Sequence, residues 1–394
     1  MIESTNYKPK LVVIVSRFPY PLEKGDKLRA FYQIKELSKD FRISLIAISK
    51  QKVPTDSIEK LNKYCESINI IKISNWTIFW NLSLCIVNNK PFQVGYFYSF
   101  KGHLKIKQLL NHIEPNYIYC QLIRTSEYVK NYHKCPKTID YMDALSMGIE
   151  RRISKAPWYS KWLFKSEARR LRIYERSIFD YFETKTIISE QDKEYISHPQ
   201  KSKIVCIANG IDSSFFVEQK HTAEFDLVFV GNLSYAPNIE AVDYIANQLL
   251  PKNIKLTCLI SGASARSSVQ KTCNSNQQIT LQGWVTDIRT TYCRGRIFIA
   301  PMMIGTGMQN KLLEAMALGV PCITTSLANN AIKAIHRESI YVANTVIEFQ
   351  EAIEILTTNN ELYQRIAQQG KEFVLKNYNW EKATSVLKET ILLK

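Results

Sequence analysis

A glycine-containing loop between an apolar run and an amphipathic stretch constrains this chain more than any other feature. Ile297–Ala300 is apolar throughout, which predicts a strand that is buried on both faces. Gly305 and Gly307 allow unusual backbone dihedral angles just ahead of a predicted helix. That helix is expected to end at Leu318-Gly319, before a second strand at 321–325. The order strand, loop, helix, strand predicts a parallel α/β sheet.

The same loop is suited to binding a phosphorylated ligand. A glycine loop that leads into a helix N-terminus offers free N–H groups and the positive end of the helix dipole to a phosphate. One turn further on, Glu314 can accept hydrogen bonds from a pair of sugar hydroxyls. A glycine turn by itself is common in α/β domains, but the phosphate and hydroxyl features together predict a nucleotide-sugar site.

The whole string resembles the donor-site signature of family 4 glycosyltransferases. The residues that carry the resemblance are Gly305, Thr306, Gly307, Met308, Gln309, Asn310, Lys311, Glu314, Ala315-Met316-Ala317, Gly319 and Pro321. The family usually has a second glutamate eight residues before the first, where this chain has Thr306. That departure resembles a bacterial polysaccharide-assembly branch whose members carry Gln-Asn-Lys. The resemblance implies a GT-B fold, transfer with retention of anomeric configuration, and no metal or other cofactor.

Two more segments resemble parts of the family's donor site. Relatives often place an arginine directly after the glycine at position 231 and a lysine a few residues later, both for the diphosphate. Here Asn232 follows Gly231, so Lys311 is expected to supply the missing cation. The loop with Gly283 and Trp284 resembles the one that holds the nucleotide base.

The resemblance also implies two Rossmann-like, doubly wound domains that face a cleft. We expect an N-terminal acceptor domain over 1–208, a nucleotide-sugar donor domain over 209–378, and a final helix over 379–394 that crosses back to the first domain. The boundary is placed at Asn209-Gly210-Ile211-Asp212, which resembles the family's turn between domains.

Acceptor residues are expected at the carboxyl ends of the first domain's strands, where ligands of open α/β sheets bind. Asp26 is expected to cap a helix that begins at about Lys27. Gln121 and Arg124 are the candidates at such a strand end. Gly25, Asp26 and Arg29 are candidates because their segment resembles the family's first N-terminal loop, which faces the cleft, although Arg29 could also be an ordinary solvated helix charge.

Two acids stand near the end of a later strand of the same domain. Asp140 lies where many relatives carry a histidine, and Asp143 follows three residues later. Either carboxylate could orient the acceptor hydroxyl, and the two assignments stay open here. A helix-capping role is the alternative for Asp143.

Charge is distributed unevenly along the chain. The formal net charge is +16, and residues 1–200 carry 33 Lys and Arg against 20 Asp and Glu. The N-terminal half is therefore expected to meet something anionic. Trp158 and Trp162 accompany a predicted helix whose cations fall on one arc, namely Lys161, Lys165, Arg169, Arg172 and Arg176. This arc is either a solvated helix face or a site for an anionic membrane.

Other features of the sequence limit where the protein can be located and what it can bind. Asn75–Val87 is apolar but too short to span a bilayer, so it is either core or interfacial. No secretory signal is visible, and the nine cysteines show no metal-ligand spacing, which favours a reducing cytoplasm. No nucleic-acid recognition signature is present.

The resemblance implies a retaining glycosyltransferase, and the charge and cysteine content add the expectation that it is cytoplasmic and peripheral on the inner face of the plasma membrane. Its donor would be a nucleotide-diphosphate sugar, with UDP the commonest case. The resemblance also implies a glycan acceptor, either free or linked to a polyprenyl diphosphate. The alternatives are a sugar-nucleotide 2-epimerase of the same fold and a non-catalytic subunit of a glycan-assembly complex.

Overall fold

The structure, a computed structural model, describes residues 8–154, 156–250, 256–304 and 308–393. It divides into two compact units. Unit 1 runs up to Ala208 and includes the segment from Trp380 onward, and unit 2 is Asn209–Asn379. No helix in the described residues is long and apolar enough to cross a membrane.

The strands follow one another along both units. They are β1 (Lys10–Val15), β2 (Arg42–Ser49), β3 (Ser67–Lys72), β4 (Tyr117–Gln121), β5 (Lys137–Asp140), β6 (Thr184–Ile187), β7 (Val205–Cys206), β8 (Phe225–Val230), β9 (Cys258–Ser261), β10 (Ile279–Gln282), β11 (Gly295–Ala300), β12 (Cys322–Thr324) and β13 (Tyr341–Val342).

The α-helices alternate with these strands. They are α1 (Gly25–Leu37), α2 (Thr55–Asn62), α3 (Asn75–Asn88), α4 (Phe92–Phe97), α5 (Phe100–Ile113), α6 (Leu145–Glu150), α7 (Lys161–Ile178), α8 (Glu190–Tyr195), α9 (Ala236–Tyr244), α10 (Ser267–Asn274), α11 (Ile288–Cys293), α12 (Asn310–Ala317), α13 (Ser326–Ile332), α14 (Val346–Thr358), α15 (Asn360–Asn377) and α16 (Trp380–Leu392).

Unit 1 is built on a sheet with strand order β3-β2-β1-β4-β5-β6-β7, and the strand pairs within it are parallel. Its central strands are continuous apolar runs because helices cover both faces of the sheet. Along β1, Val12 and Ile14 join one core cluster, while Leu11, Val13 and Val15 join the other. The alternation follows from the two-residue period of a strand.

The C-terminal helix α16 belongs to unit 1. Its Leu387 and Ile391 are buried in the same cluster as Ile34 of α1. At the start of α16, Trp380 stacks on Tyr32, with ring centroids 5.1 Å apart. The helix therefore completes one face of the first sheet.

Unit 2 is built on a second parallel sheet, with strand order β10-β9-β8-β11-β12-β13. The two ends of the unit lie side by side, because the Ile211 N–H donates to the Tyr378 carbonyl at 2.9 Å. The two parallel-sheet α/β units confirm the predicted fold class.

We predict that Leu387→Ala destabilises unit 1 by about 2–5 kcal/mol, because it leaves a cavity in a buried cluster. The matched control Val386→Ala shortens a side chain that is 41% exposed on the same helix and should change the stability by no more than about 0.5 kcal/mol. The free energy of unfolding of unit 1 is measured by urea unfolding followed by tryptophan fluorescence. Only Trp284 among the six tryptophans lies in unit 2, so the signal comes mainly from unit 1. Equal losses for the two variants would contradict the packing assigned to α16.

Candidate active site

The candidate donor site lies at the point in unit 2 where the strand order reverses, between β8 and β11. Ligands of open α/β sheets bind at this switch point, beyond the carboxyl ends of the strands. Gly231 and Asn232 follow β8, and 301–304 follow β11. The predicted phosphate-loop residues Gly305, Thr306 and Gly307 lie outside the described residues. Met308 and Gln309 precede α12, and Asn310 opens it.

Lys311 in the first turn of α12 reaches the loop that follows β8. Its ammonium group donates to the Asn238 side chain and lies 4.7 Å from the centre of the Phe229 ring. The Asn238 amide in turn donates to the Asn232 carbonyl at 2.9 Å. Burial lowers the pKa of Lys311 to about 7, although the nearby Glu314 opposes the change. The structure thus brings Lys311 to the segment in which the usual cations are missing.

Glu314 lies one turn after Lys311 and is held by a tyrosine. The Tyr292 hydroxyl donates to Glu314 Oε2 at 2.7 Å. Burial raises the pKa of Glu314, while the Tyr292 hydrogen bond and Lys311 oppose this effect. The hydrogen bond fixes the orientation of the carboxylate, and no hydrogen-bond donor to its Oε1 oxygen is found among the described residues.

Close packing of neighbouring loops explains the glycines at this edge. A Cβ on Gly231 would lie 2.7 Å from the Asn238 side chain. Gly262, directly after β9, has a φ of 157° and would place a Cβ 1.7 Å from the Gly231 carbonyl oxygen. Both loops therefore require glycine. Gly283 and Trp284 follow the next strand, β10, and the Trp284 side chain is 67% exposed.

The candidate acceptor residues of unit 1 lie at its own switch point, between β1 and β4. Gln121 is buried, and its amide donates to the Asp26 carbonyl at 3.0 Å. Arg124 donates from Nε to Gln93 Oε1 at 3.0 Å, and its Nη1 lies 3.9 Å from Asp26 Oδ2. The structure therefore brings Asp26, Gln121 and Arg124 together.

The predicted N-cap at Asp26 is wrong. Helix α1 begins at Gly25 with Lys24 as its N-cap, and Asp26 lies inside the first turn. The Asp26 carboxylate accepts a hydrogen bond from Arg17 Nη1 at 2.6 Å instead. An acid in the first turn still interacts favourably with the helix dipole. Gly25 lies at the start of α1, close to the Met142 side chain.

Arg29 and Asp140 form a fully buried ion pair, which changes the role expected of both. Arg29 Nε donates to Asp140 Oδ2 at 2.6 Å, and the Arg29 Nη1 donates to the Ile207 carbonyl at 2.9 Å. Tyr119 and Thr186 also donate to the carboxylate, at 2.9 and 3.0 Å. Burial alone would raise the pKa of Asp140, but Arg29 and these hydrogen bonds hold it below its usual value.

This ion pair corrects the expectation that Asp140 orients an acceptor hydroxyl. Both carboxylate oxygens already accept hydrogen bonds, and the side chains of Asp140 and Arg29 are 0% exposed. A carboxylate has about four lone-pair positions, and the donors within unit 1 occupy them. Arg29 and Asp140 therefore hold neighbouring elements of the sheet edge together, and neither side chain is exposed to a ligand.

Asp143 has different surroundings from those of Asp140. It is half-buried, and no ion pair to its carboxylate is found among the described residues. Burial and the neighbouring Asp192 carboxylate raise its pKa to about 7, although Arg124 opposes the change. A carboxyl group with such a pKa, beside Arg124 and Asp26, can exchange a proton near neutral pH.

Backbone strain occurs at the same edge of unit 1. Leu122 directly follows β4 and has a φ of 64°, and Met142 lies two residues after β5 with the same φ. Non-glycine residues rarely adopt this conformation, and such strain is concentrated at functional sites. The strain supports a functional role for the edge that carries Gln121 and Asp143.

Several residues that contribute to these sites were not found from the sequence. They are Arg17, Tyr119, Asn238, Tyr292 and Asp192. Arg17 acts through Asp26, nine residues away, and the other four act through partners about 20 or more residues away, so no helix or strand period indicates any of them. Among the residues that the structure describes, no group of three or more His, Cys, Asp or Glu could hold a metal ion.

Comparisons with known proteins support the fold and the enzyme class. Residues 224–359 match the family described as Glycosyl transferases group 1. Over 406 aligned residues the chain is 24% identical to the Klebsiella pneumoniae "Uncharacterized 44.6 kDa protein in cps region", covering 96% of this chain and 99% of that protein.

Two solved structures illustrate the shared fold. Sucrose-phosphate synthase from Thermosynechococcus elongatus has a TM-score of 0.71 and 13% identity, with 96% of this chain and 98% of that chain covered. HepE from Anabaena, in complex with UDP and glucose, has a TM-score of 0.68 and 11% identity, with 97% and 99% covered. The fold is GT-B, and with the matched domain this makes the chain a glycosyltransferase.

We predict opposite stability effects for the two acids of unit 1. Asp140→Asn should destabilise the unit by about 3–5 kcal/mol, because it leaves the buried Arg29 charge without its partner. Asp143→Asn should stabilise it, because a raised carboxyl pKa means that ionisation opposes folding. This gain should grow as the pH rises from about 4 to about 7.

Urea unfolding at pH 5 and pH 8 tests both statements. The loss for Asp140→Asn should be similar at the two pH values, since the pKa of Asp140 lies below its usual value. An Asp143→Asn variant that is less stable than the wild type at pH 8 would refute the environment assigned to this carboxyl group.

Proposed function

We propose that this glycosyltransferase moves a sugar, with retention of configuration, from a nucleotide-diphosphate sugar onto a glycan acceptor. UDP is the proposed nucleotide. The enzyme is placed in family 4, in polysaccharide biosynthesis, on the inner face of the plasma membrane. The observation that carries the proposal is the arrangement on α12, where Lys311 and Glu314 are one turn apart at the switch point of unit 2.

This arrangement supports a nucleotide diphosphate as the leaving group. Lys311 lies beside Asn238 and Asn232, and the N-terminal end of α12 adds the positive end of a helix dipole. Glu314, oriented by Tyr292, is the proposed acceptor for the ribose hydroxyls. The solved HepE structure contains UDP and glucose, which favours UDP among the nucleotides.

Catalysis then depends mainly on stabilising the leaving group. Negative charge develops on the departing nucleotide diphosphate, and preorganised cations and dipoles lower its energy in the transition state. Lys311 and the N-terminal end of α12 supply this stabilisation without a metal ion. The transferring sugar acquires positive charge, as in other glycosyl transfers.

The acceptor is proposed to bind at the edge of unit 1 that carries Asp26, Gln121, Arg124 and Asp143. Of the two acids considered from the sequence, Asp143 is the proposed partner of the acceptor hydroxyl. Its raised pKa lets it accept a proton as the new glycosidic bond forms.

Helix α7 is proposed to hold the enzyme on an anionic membrane. Its Leu171, Tyr174 and Ile178 are buried in unit 1, and the opposite face is basic. Within the basic face Lys165, Arg169, Arg172 and Arg176 are exposed, Lys161 is half-buried, and Arg172 pairs with Glu150. Trp158 and Trp162 are 84% and 68% exposed, as expected for interfacial anchors.

We predict that Glu314→Gln weakens donor binding by about 1.5–3 kcal/mol, since it replaces a charged acceptor of hydrogen bonds. Tyr292→Phe should produce a smaller loss, because it frees the carboxylate orientation but keeps its charge. Calorimetric titration with UDP-sugars measures both. Unchanged donor affinity and turnover in Glu314→Gln would refute the assignment of this residue to the ribose hydroxyls.

The same nucleotide sugars also test the alternative function. Epimerisation of a nucleotide sugar in the absence of any acceptor would favour the 2-epimerase.

We predict that donor affinity falls as the pH rises above about 7. The pKa of Lys311 is lowered to about 7 in the empty site, so the donor must then be bound together with a proton. Titrations in two buffers with different ionisation enthalpies detect this proton uptake. Lys311→Met should abolish the proton uptake and lower turnover more than binding, whereas the exposed control Lys333→Met should keep the proton uptake.

The enzyme should be equally active with and without EDTA. A strict requirement for a divalent ion would exclude the metal-free mechanism.

We predict that the enzyme binds anionic vesicles and that changing all five cations of the basic face of α7 to Gln reduces binding. Each cation near an anionic surface contributes about 1 kcal/mol, and screening at 0.15 M salt limits the range to about 8 Å. Co-sedimentation with anionic and neutral vesicles measures this.

The matched control removes five exposed lysines of unit 1 elsewhere, namely Lys60, Lys63, Lys101, Lys105 and Lys107. If this control loses as much binding as the α7 variant, net charge rather than the helix determines attraction. Equal binding to neutral vesicles would leave the basic face as a solvated surface.

A further inference from the structure

A cavity of about 900 Å³ opens within unit 1, beside the candidate acceptor residues. One side comes from the loops that follow β1 and β2, and the other from Ile73 after β3 together with α3 and α4. Two residues that line the cavity are also hydrogen-bonded to candidate acceptor residues. Arg17 donates to Asp26, and Gln93 accepts from Arg124. The cavity is therefore continuous with the edge proposed for the acceptor.

The loop side of the cavity is strongly basic. Five cations line it, Arg17, Lys24, Lys27, Lys50 and Lys52, against the one acid Glu23. Lys24, Lys50 and Lys52 are exposed and form no ion pair in the described parts of the chain. Because this positive charge is not neutralised by the protein, it favours an anionic ligand.

The opposite side of the cavity is apolar. Ile73, Ile78 and Phe97 are buried there, and Leu82 and Phe92 contribute half-buried side chains. A sugar or a free nucleotide would gain little from such a wall, whereas a hydrocarbon chain is stabilised by covering it. The cavity thus combines a charged side and an apolar side, as an amphipathic ligand requires.

Helix α3, which supplies part of the apolar wall, also exposes large apolar side chains to its surroundings. It contains no charged residue, and only Ile78 and Cys85 are buried. The exposed members are Trp76, Phe79, Trp80, Leu84, Ile86 and Val87, each more than half exposed. An exposed apolar surface of this extent indicates a membrane or a binding partner.

Helix α7 connects this apolar helix to the basic face. Arg170 donates to the Cys85 carbonyl at 3.1 Å and lies 5.1 Å from the centre of the Phe92 ring. Glu167 accepts from the Phe92 N–H at 2.9 Å. The uncharged helix α3 and the cationic helix α7 are thus held together through α4, which favours an anionic bilayer as the surface that α3 meets.

We infer that the basic and apolar cavity of unit 1 binds the head of a lipid-linked acceptor, a phosphate or diphosphate on a long hydrocarbon chain, while α3 lies in the membrane interface. The phosphate groups contact Lys50 and Lys52, and the chain passes along Leu82 and Phe92 toward the bilayer. This inference rests on the proposed glycosyl transfer, and it assigns the acceptor's lipid portion to residues outside the donor site.

Calorimetric titration with farnesyl diphosphate tests the site in solution. We expect binding at least about tenfold tighter than for inorganic diphosphate or farnesol, because only the complete molecule uses both sides of the cavity. Lys50→Gln with Lys52→Gln should weaken it about tenfold, and the matched surface control Lys105→Gln with Lys107→Gln should not. Leu82→Ser should weaken farnesyl diphosphate but leave inorganic diphosphate unchanged. Farnesyl monophosphate distinguishes one phosphate from two.

Two results would overturn the inference. One is inorganic diphosphate binding as tightly as farnesyl diphosphate, which would identify a general phosphate site. The other is equal affinity in the Lys50, Lys52 variant and in the wild type. Thermal stabilisation by UDP is measured on the same variants. If UDP binds and farnesyl diphosphate does not, the lipid-phosphate site is rejected and the proposed glycosyl transfer is unaffected. If farnesyl diphosphate binds and UDP does not, the proposed donor chemistry is rejected.

The position of α3 is tested with anionic vesicles that contain brominated lipid. In a Trp158→Phe, Trp162→Phe variant, Trp76 and Trp80 remain on α3, and brominated lipid should quench their fluorescence. Replacing Trp76 and Trp80 by Phe instead should remove that part of the quenching. No quenching of the α3 tryptophans would overturn the placement of α3 in the interface.

Discussion

The buried Arg29–Asp140 ion pair holds together the edge of unit 1 on which the proposed acceptor chemistry depends. Arg29 comes from α1 and Asp140 from β5, while Tyr119 and Thr186 add hydrogen bonds from β4 and β6. A buried charge pair is tolerable only when its hydrogen bonds are satisfied, and here the carboxylate is fully occupied. The pair therefore serves to place neighbouring groups, among them Asp143 and Arg124, which are the residues proposed to face the acceptor.

Unit 2 also places a charged side chain at its own switch point, but this side chain is hydrogen-bonded to an uncharged partner. A half-buried lysine, Lys311, has Asn238 as its hydrogen-bonded partner, and Glu314 lies one turn further along α12. Because burial lowers the pKa of this lysine to about 7, its positive charge is incompletely stabilised before a ligand arrives. An anionic diphosphate would supply the missing stabilisation. In unit 1 the charge is neutralised by the protein, and in unit 2 it remains available to the substrate.

The surface of unit 1 combines two features that are usually separate. The basic face of α7 can attract an anionic surface over a Debye length, and the apolar residues of α3 act only on contact. Between α3 and the acceptor edge lies a cavity with one basic and one apolar side. The proposed membrane attraction, interfacial placement of α3 and head-group binding would therefore involve neighbouring parts of one unit.

From the sequence by itself one could determine the parallel α/β class, the glycine-loop motif, Glu314 and the basic arc of α7, because each depends on local spacing or on continuous apolar runs. Only the tertiary structure shows that Asp140 is enclosed by its own hydrogen-bond donors, since these donors come from three other elements. It also decided that Asp26 pairs with Arg17 and that Asn75–Val87 is an exposed helix. A periodic pattern shows which side chains share a face, but their burial depends on what the rest of the chain places against that face.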